Sequence, residues 1–144
     1  MAEQLLSAER VSTAGRQGFA NETDRVRLSK TALKAFRRIV EAWQLTGLQA
    51  ASLLGVSLST WERMKPEGGE KILSQDQMTR VSALTGLYKG LHLLFADDMA
   101  DRWPQLQNSG PLFEHLSPVA AMIEGGIPLM LDVRRYVDAV RGGL

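Results

Sequence analysis

The sequence predicts an all-α protein. Apolar residues recur at three- and four-residue steps along most of the chain, and no segment alternates apolar with polar residues as a half-buried strand does. The 144 residues suffice for one ordinary domain, or for two small helical modules that share a core. With 44% apolar and 23% charged residues, the chain is too apolar to be disordered.

The first third of the chain predicts a polar arm followed by a helix. Residues 1–24 form the arm, in which only a short helix around residues 3–11 is expected. The next helix is predicted to start at Ser29 as its N-cap, because one face becomes apolar from there. The residues of this face are Leu33, Phe36, Val40 and Trp43.

Cap and breaker residues divide the middle of the chain into three further helices. Two capping-box patterns, 46–49 and 74–77, predict the starts of the first and third helices, and Ser57 is the predicted N-cap of the second. Gly55 ends the first helix and Pro66 ends the second. The third helix is expected to continue past Gly86 and Gly90, or to bend there. Its apolar face is formed by Met78, Val81, Leu84 and Tyr88.

The C-terminal part predicts three more helices. A short acidic helix over 97–103 stops at Pro104, and a loop over 107–111 follows. Ser117 and Pro118 have the N-cap and first-turn chemistry of a helix start, and Gly125-Gly126 ends that helix. The last helix opens at Pro128 and stops at Gly142. Its apolar face is formed by Leu129, Val133, Tyr136, Val137 and Val140.

Composition excludes several classes of function. The chain has no cysteine, which excludes disulfides, thiolate nucleophiles and cysteine-ligated zinc, and His92 and His115 lie far apart. No apolar run reaches the roughly 18 residues of a membrane span, and the N-terminus lacks the pattern of a signal peptide. We therefore expect a cytoplasmic protein that binds no membrane, no metal and no cofactor.

An enzyme is the weakest of the alternatives. Asp97, Asp98 and Asp101 offer carboxylates, but acidic residues are favoured at any helix start. No phosphate-binding loop and no Ser-His-Asp pattern accompanies them. We expect no enzymatic activity.

Charge is divided unevenly along the chain. Residues 1–95 carry a net charge of +4 and residues 96–144 a net charge of −3. This division predicts a polyanion as partner of the front half and a different partner for the back half, although a merely solvated basic helix face is the plain alternative. The basic residues concentrate in one stretch without an acidic residue: Arg25, Arg27, Lys30, Lys34, Arg37 and Arg38.

Residues 47–66, GLQAASLLGVSLSTWERMKP, predict a helix-turn-helix. Two helices that cross steeply need small residues where they touch, a glycine in the turn and apolar residues at fixed offsets. An ordinary helical hairpin is the alternative. The residues that meet these requirements are Ala50, Ala51, Leu54, Gly55, Val56, Trp61 and Met64.

The second helix of this motif is the predicted DNA-binding element. Its first turn would contact base edges and phosphates in the major groove, with Arg63 as the candidate for a guanine edge. Residues of the basic stretch would add phosphate contacts. The predicted DNA-binding residues are Thr46, Ser57, Ser59, Thr60, Arg63 and Lys65.

The chain resembles a known family over roughly residues 25–144. Its front half looks like an Xre (Cro-type) DNA-binding domain. Its back half resembles the toxin-binding module of Xre/ParS-type antitoxins from RES–Xre toxin–antitoxin pairs. The latter resemblance rests on the 97–103 segment DDMADRW, a loop with Asn108 and Gly110, the Ser117-Pro118 helix start, and a final amphipathic helix closing on Gly142. One departure is a longer loop before Ser117, which contains residues 112–115.

The resemblance implies a function, partners and a domain division. Such antitoxins block a RES-domain toxin that depletes NAD, repress their own promoter by binding operator DNA, and form homodimers. The implied division is an arm over 1–24, an Xre-like DNA-binding domain over 25–95 and a toxin-binding domain over 96–144. For the tail we hypothesise that Leu144 and its carboxylate plug the entrance of the toxin's active site, and a frayed terminus is the alternative. The predicted toxin-binding residues are Trp103, Tyr136, Arg141, Gly142, Gly143 and Leu144.

One alternative within the DNA-binding class stays open. A stand-alone Cro-type transcriptional repressor would use the same DNA-binding residues, and its back half would serve as a dimerisation module. Co-purification with the product of a neighbouring gene separates the two functions.

Overall fold

A computed structural model describes residues 19–69 and 71–143 of the chain. Over these residues the fold consists of helices and contains no strand, which confirms the predicted all-α class. The helix expected around residues 3–11 and the tail residue Leu144 lie outside the described residues. The helices, numbered from the first one described, are α1 (Glu22–Ala42), α2 (Gly47–Leu54), α3 (Leu58–Met64), α4 (Gln75–Leu94), α5 (Asp97–Arg102), a 3-10 helix (Trp103–Gln105) and α6 (Pro118–Gly143).

Helix α1 starts eight residues earlier than the sequence pattern predicts. Asn21 is the N-cap, and its side chain accepts a hydrogen bond from the backbone N–H of Thr23 at 2.9 Å. The prediction of Ser29 as N-cap is wrong, because Ser29 is buried inside the helix. Its hydroxyl donates to the carbonyl of Arg25 and accepts the backbone N–H of Leu73 at 2.9 Å. Ser29 therefore ties the segment before α4 to α1.

The remaining cap predictions are confirmed. Both capping boxes are present, at the starts of α2 and α4, and the Ser57 side chain caps α3. Gly55 has a φ of 79° and supplies the left-handed turn between α2 and α3. Ser117 accepts the backbone N–H of Ala120 at 3.1 Å and so caps α6.

Helix α4 continues through its two glycines without interruption and contacts most of the other helices. It packs against α1 on one side and against α6 on the other. Gly90 permits the close approach of α6, because a Cβ there would lie 3.2 Å from Cγ1 of Val137. At the predicted apolar positions Met78, Val81 and Leu84 are buried.

One hydrophobic core extends through both halves of the chain. In the front half, Phe36 and Trp61 meet edge to face with ring centroids 5.3 Å apart. In the back half, the buried ring of Phe113 lies between Trp103, at 5.7 Å, and Tyr136, at 5.9 Å. Because both clusters belong to the same core, the proposed boundary between residues 95 and 96 stays a prediction.

Helix α6 is interrupted where the sequence predicts a stop. Gly126 has φ 67° and ψ −156°, which is not helical, and Pro128 follows in the first turn of the second part. The end of α6 differs from the prediction, because the helix continues through Gly142 to Gly143. Gly142 does not adopt a positive φ, so it does not break the helix.

We predict that Gly55→Ala destabilises the fold more than Gly68→Ala does. Both glycines have positive φ, 79° and 88°, and an alanine at either costs about 1–2 kcal/mol of backbone strain. At Gly55 the new Cβ would also lie 2.9 Å from Nε of Arg80, whose guanidinium donates to the carbonyl of Leu53 at 3.3 Å. At Gly68 a Cβ would meet nothing within 4 Å.

Urea unfolding of the two variants and the wild type measures the difference. An equal loss of unfolding free energy in both variants would show that the Arg80 contact contributes nothing to this turn.

Candidate nucleic-acid interface

The structure confirms the predicted helix-turn-helix in α2 and α3. The start of α2 lies directly against α3, since a Cβ at Gly47 would be 3.2 Å from Cδ1 of Leu58 and 3.2 Å from Oε1 of Glu62. On the inner face of α3, Trp61 and Met64 are buried in the core. These contacts hold α3 at a defined position against α2.

The opposite face of α3 is exposed and mostly polar. With about 100° per residue, the face that lies away from Trp61 and Met64 carries four residues. These are Leu58, Ser59, Glu62 and Arg63. A short helix with one buried and one polar, exposed face has the geometry of a recognition helix.

Four of the predicted DNA-binding residues form one hydrogen-bonded network at the start of α3. The Ser57 hydroxyl donates to Oγ1 of Thr60 at 2.9 Å, and it lies 3.3 Å from the Ser59 hydroxyl. Nη2 of Arg63 donates to Oγ1 of Thr60 at 3.3 Å. The network restricts the Arg63 guanidinium on the exposed face before any ligand binds.

The other two predicted DNA-binding residues lie at the ends of the motif. Thr46 is exposed at the start of α2, where its hydroxyl accepts the backbone N–H of Gln49 at 3.1 Å. Lys65 is exposed as the C-cap residue of α3. The assignment of all six residues to DNA binding stays a prediction.

The basic stretch of α1 divides into structural and available cations. Arg37 donates to the carbonyls of Met64 at 2.7 Å and Pro66 at 3.2 Å, which closes the end of α3. Arg25 donates to the carbonyls of Phe19 and Ala20 at the start of α1. These two arginines are held by backbone carbonyls of their own chain.

The stretch contains four further cations. One of them, Arg27, lies 3.6 Å from Asp24, and the other three are exposed at four-residue steps on α1. Among the residues that the structure describes, none of the three has a hydrogen bond or ion pair. They are available for phosphate contacts. The three residues are Lys30, Lys34 and Arg38.

A contact that the sequence did not predict joins the back half to the helix-turn-helix. Nε2 of Gln105 donates to Oε1 of Gln49 at 3.0 Å and to the carbonyl of Trp43 at 3.3 Å. The same Oε1 accepts the backbone N–H of Thr46, at 3.0 Å, in the capping box of α2. The 3-10 helix therefore braces the start of the DNA-binding motif.

The predicted toxin-binding residues fall into two places. Trp103 and Tyr136 are both half-buried and contact Phe113, so packing accounts for at least part of their role. Arg141 is exposed near the end of α6, where Nη2 lies 3.5 Å from the Asp138 carboxylate. Gly142 and Gly143 belong to the helix, and Leu144 lies outside the described residues.

His92 joins the ends of α4 and α5 through two carboxylates. Nδ1 lies 2.9 Å from Asp97 and Nε2 lies 2.8 Å from Asp101, while the ring also contacts Tyr88 with centroids 4.3 Å apart. Burial lowers the pKa of His92, but the hydrogen bonds and charges of the two carboxylates outweigh it, so the pKa is raised above 6.5. The protonated form of His92 is therefore favoured at this junction of the two halves.

Two further kinds of feature, a metal cluster and a membrane-spanning helix, were not found among the described residues. Over residues 19–69 and 71–143, no cluster of histidine and acidic side chains is arranged to hold a metal ion. In the same ranges no helix combines the length and the apolar character that crossing a bilayer requires.

Comparison with known proteins identifies the front half of the chain. The family model of the antitoxin Xre-like helix-turn-helix domain matches residues 22–86, a range that contains α1 to α3 and the first part of α4. The uncharacterized protein y4oB of Sinorhizobium fredii is 34% identical over 113 residues, which cover 77% of this chain and 84% of that protein. No solved structure matches the chain.

We predict that the His92 contacts make stability depend on pH. Because the pKa of His92 is raised above its ordinary 6.5, the contribution is complete below pH 6.5 and is lost as the pH rises through the folded-state pKa. The unfolding free energy of the wild type should exceed that of His92→Gln by more at about pH 5.5 than at about pH 8.5. Unfolding free energies at the two pH values measure this difference.

His115 provides the control, because it is exposed and has no carboxylate partner among the described residues. If His92→Gln changes stability equally at both pH values, the ion pairs do not contribute.

Proposed function

This chain belongs to the Xre-like helix-turn-helix antitoxins, and we propose that it neutralises a RES-domain, NAD-depleting toxin and represses its own promoter. The observation that supports the DNA-binding part is the exposed face of α3 with its preorganised Arg63. The toxin part is supported by the resemblance of residues 97–142 to the toxin-binding module of such antitoxins.

DNA binding follows from the placement of α3. The helix enters the major groove with its exposed face, and the Arg63 guanidinium donates to O6 and N7 of a guanine. Ser59 lies on the same face, while Lys65 and the three available cations of α1 contact phosphates. A homodimer presents two such helices about 34 Å apart to a two-fold symmetric operator.

Toxin binding belongs to the back half in this proposal. Residues 96–144 carry a net charge of −3, and they contact the DNA-binding motif at α2, through the 3-10 helix and α6, rather than at α3. A toxin bound there leaves the exposed face of α3 accessible to DNA. The end of α6, from Arg141 onward, is the part proposed to contact the toxin near its nucleotide site.

A stand-alone Cro-type repressor remains the second candidate function. The observation that favours it is the single core shared by both halves, which suits a back half devoted to stabilising the front half and to dimerisation. The two functions differ in one measurable respect. A tagged antitoxin co-purifies with the RES-domain product of an adjacent reading frame, whereas a stand-alone repressor is purified without such a partner.

We predict that Arg63→Ala weakens binding to DNA from upstream of the coding sequence by about 1–3 kcal/mol and relaxes one base position. Binding should also weaken steeply between about 50 and 200 mM salt, because phosphate contacts release counterions. Arg38→Ala is the matched control, since this exposed arginine lies on α1 and should affect all DNA sequences equally.

Fluorescence anisotropy with the upstream DNA and a scrambled duplex measures both effects. Unchanged affinity and unchanged base preference in Arg63→Ala would remove this residue from DNA recognition.

We predict that DNA binding and toxin neutralisation can be lost separately. Replacing Ser57 and Arg63 together by alanine should abolish promoter repression and leave neutralisation intact, because both residues lie at α3. Deletion of residues 142–144 should have the reverse effect. Growth of cells that co-express the adjacent RES-domain product reports neutralisation, and a promoter fusion reports repression.

Each variant serves as the control for the other, and circular dichroism checks that both are folded. Loss of neutralisation in the folded Ser57 and Arg63 double variant would contradict the division of labour.

A further inference from the structure

Leu58 is an apolar residue on the otherwise polar face of α3. Its side chain is 45% exposed, and the other residues of this face are Ser59, Glu62 and Arg63. A single exposed leucine is common on protein surfaces. The position of Leu58 in the first turn of the recognition helix is what distinguishes it, since this turn approaches the base edges in the major groove.

The structure also restricts where the Leu58 side chain lies. Its Cδ1 occupies the space beside Gly47, 3.2 Å from where a Cβ of that residue would be. The backbone of the first turn is held by Ser57, whose hydroxyl accepts the N–H of Thr60 at 3.1 Å. An apolar group therefore lies beside Gly47 at the edge of the DNA-facing surface.

The core does not need Leu58. Trp61 and Met64 fill the inner face of α3 with exposures of 1% and 2%, and Leu58 is not part of the buried core. Its exposed methyl groups gain stabilisation only when another apolar surface covers them. In the major groove the apolar group that a base pair presents is the C5-methyl of thymine.

We propose that Leu58 contacts the C5-methyl group of a thymine in each operator half-site and so determines base specificity there. The inference rests on the proposed DNA-binding function. It adds to that function a contact between Leu58 and the C5-methyl group of thymine, and Leu58 takes no part in the hydrogen-bonding network of α3. Leu58 selects thymine over cytosine at its position, since cytosine lacks the methyl group and presents a polar amino group in the groove.

The experiment removes the methyl group without changing any hydrogen bond. Full-length protein first selects its preferred site from a random duplex library. Each thymine of that site is then replaced singly by deoxyuridine, and the dissociation constants are measured. The wild type should lose about fourfold in affinity at one position per half-site, as expected for one buried methyl group.

Two variants and one control connect this effect to Leu58. Leu58→Ala should bind thymine and deoxyuridine duplexes equally at that position, whereas Leu58→Met keeps an apolar contact and should retain the preference. Leu48→Ala is the control. Leu48 is 65% exposed at the second residue of α2, so its loss should leave the thymine dependence unchanged.

Two results would overturn the inference. One is a wild type that is indifferent to every deoxyuridine replacement, a test that needs no variant to fold. The other is a Leu58→Ala protein with the same dependence as the wild type. A wild type that binds no duplex and selects no site is a different result, and it would also contradict the proposed DNA-binding function.

Discussion

The two helices of the DNA-binding motif are too short to satisfy their own backbone groups. The first four N–H and the last four C=O groups of any helix lack partners within it, and α2 and α3 have eight and seven residues. Local caps close the N-terminal ends, whereas side chains from other helices reach the carbonyls at the C-terminal ends. Arg80 donates to the carbonyl of Leu53 at the end of α2, and Arg37 donates to that of Met64 at the end of α3. The position of the exposed face of α3 therefore depends on residues of α1 and α4.

The same requirement explains why net charge is a poor guide to this protein's surface. The basic stretch of α1 predicts a polyanion site, but Arg25 and Arg37 donate hydrogen bonds to backbone carbonyls of their own chain. The cations that remain available for the proposed DNA contacts are a smaller set on α1, together with Arg63 and Lys65. A count of basic residues overstates the charge that a phosphate backbone would meet.

The front and back halves are connected physically although their charges differ in sign. Helix α4 contributes to both parts of the core, His92 joins it to α5, and Gln105 contacts the capping box of α2. A displacement of the 3-10 helix would reach the start of α2 through one side chain, because Oε1 of Gln49 accepts from both Gln105 and Thr46. The two halves therefore share one hydrophobic core and are joined by polar contacts as well.

The sequence by itself determined the features that depend on contacts between neighbouring residues. The all-α class, the capping boxes, the left-handed turn at Gly55 and the Ser57 cap were predictable, because each depends on contacts between residues at most four apart. It also predicted Ser57, Ser59, Thr60 and Arg63 as DNA-binding residues, and the structure brings these four together at the start of α3.

Only the tertiary structure decided the contacts between distant residues. The bond from Leu73 to Ser29 spans 44 residues, that from Arg37 to Met64 spans 27, and that from Gln105 to Gln49 spans 56. No local pattern encodes such pairs, since each depends on how complete helices pack. Because of that packing, Ser29 is buried and binds the backbone of Leu73 instead of capping a helix. Arg37, which was expected to contact phosphate, donates to the carbonyl of Met64 at the end of α3.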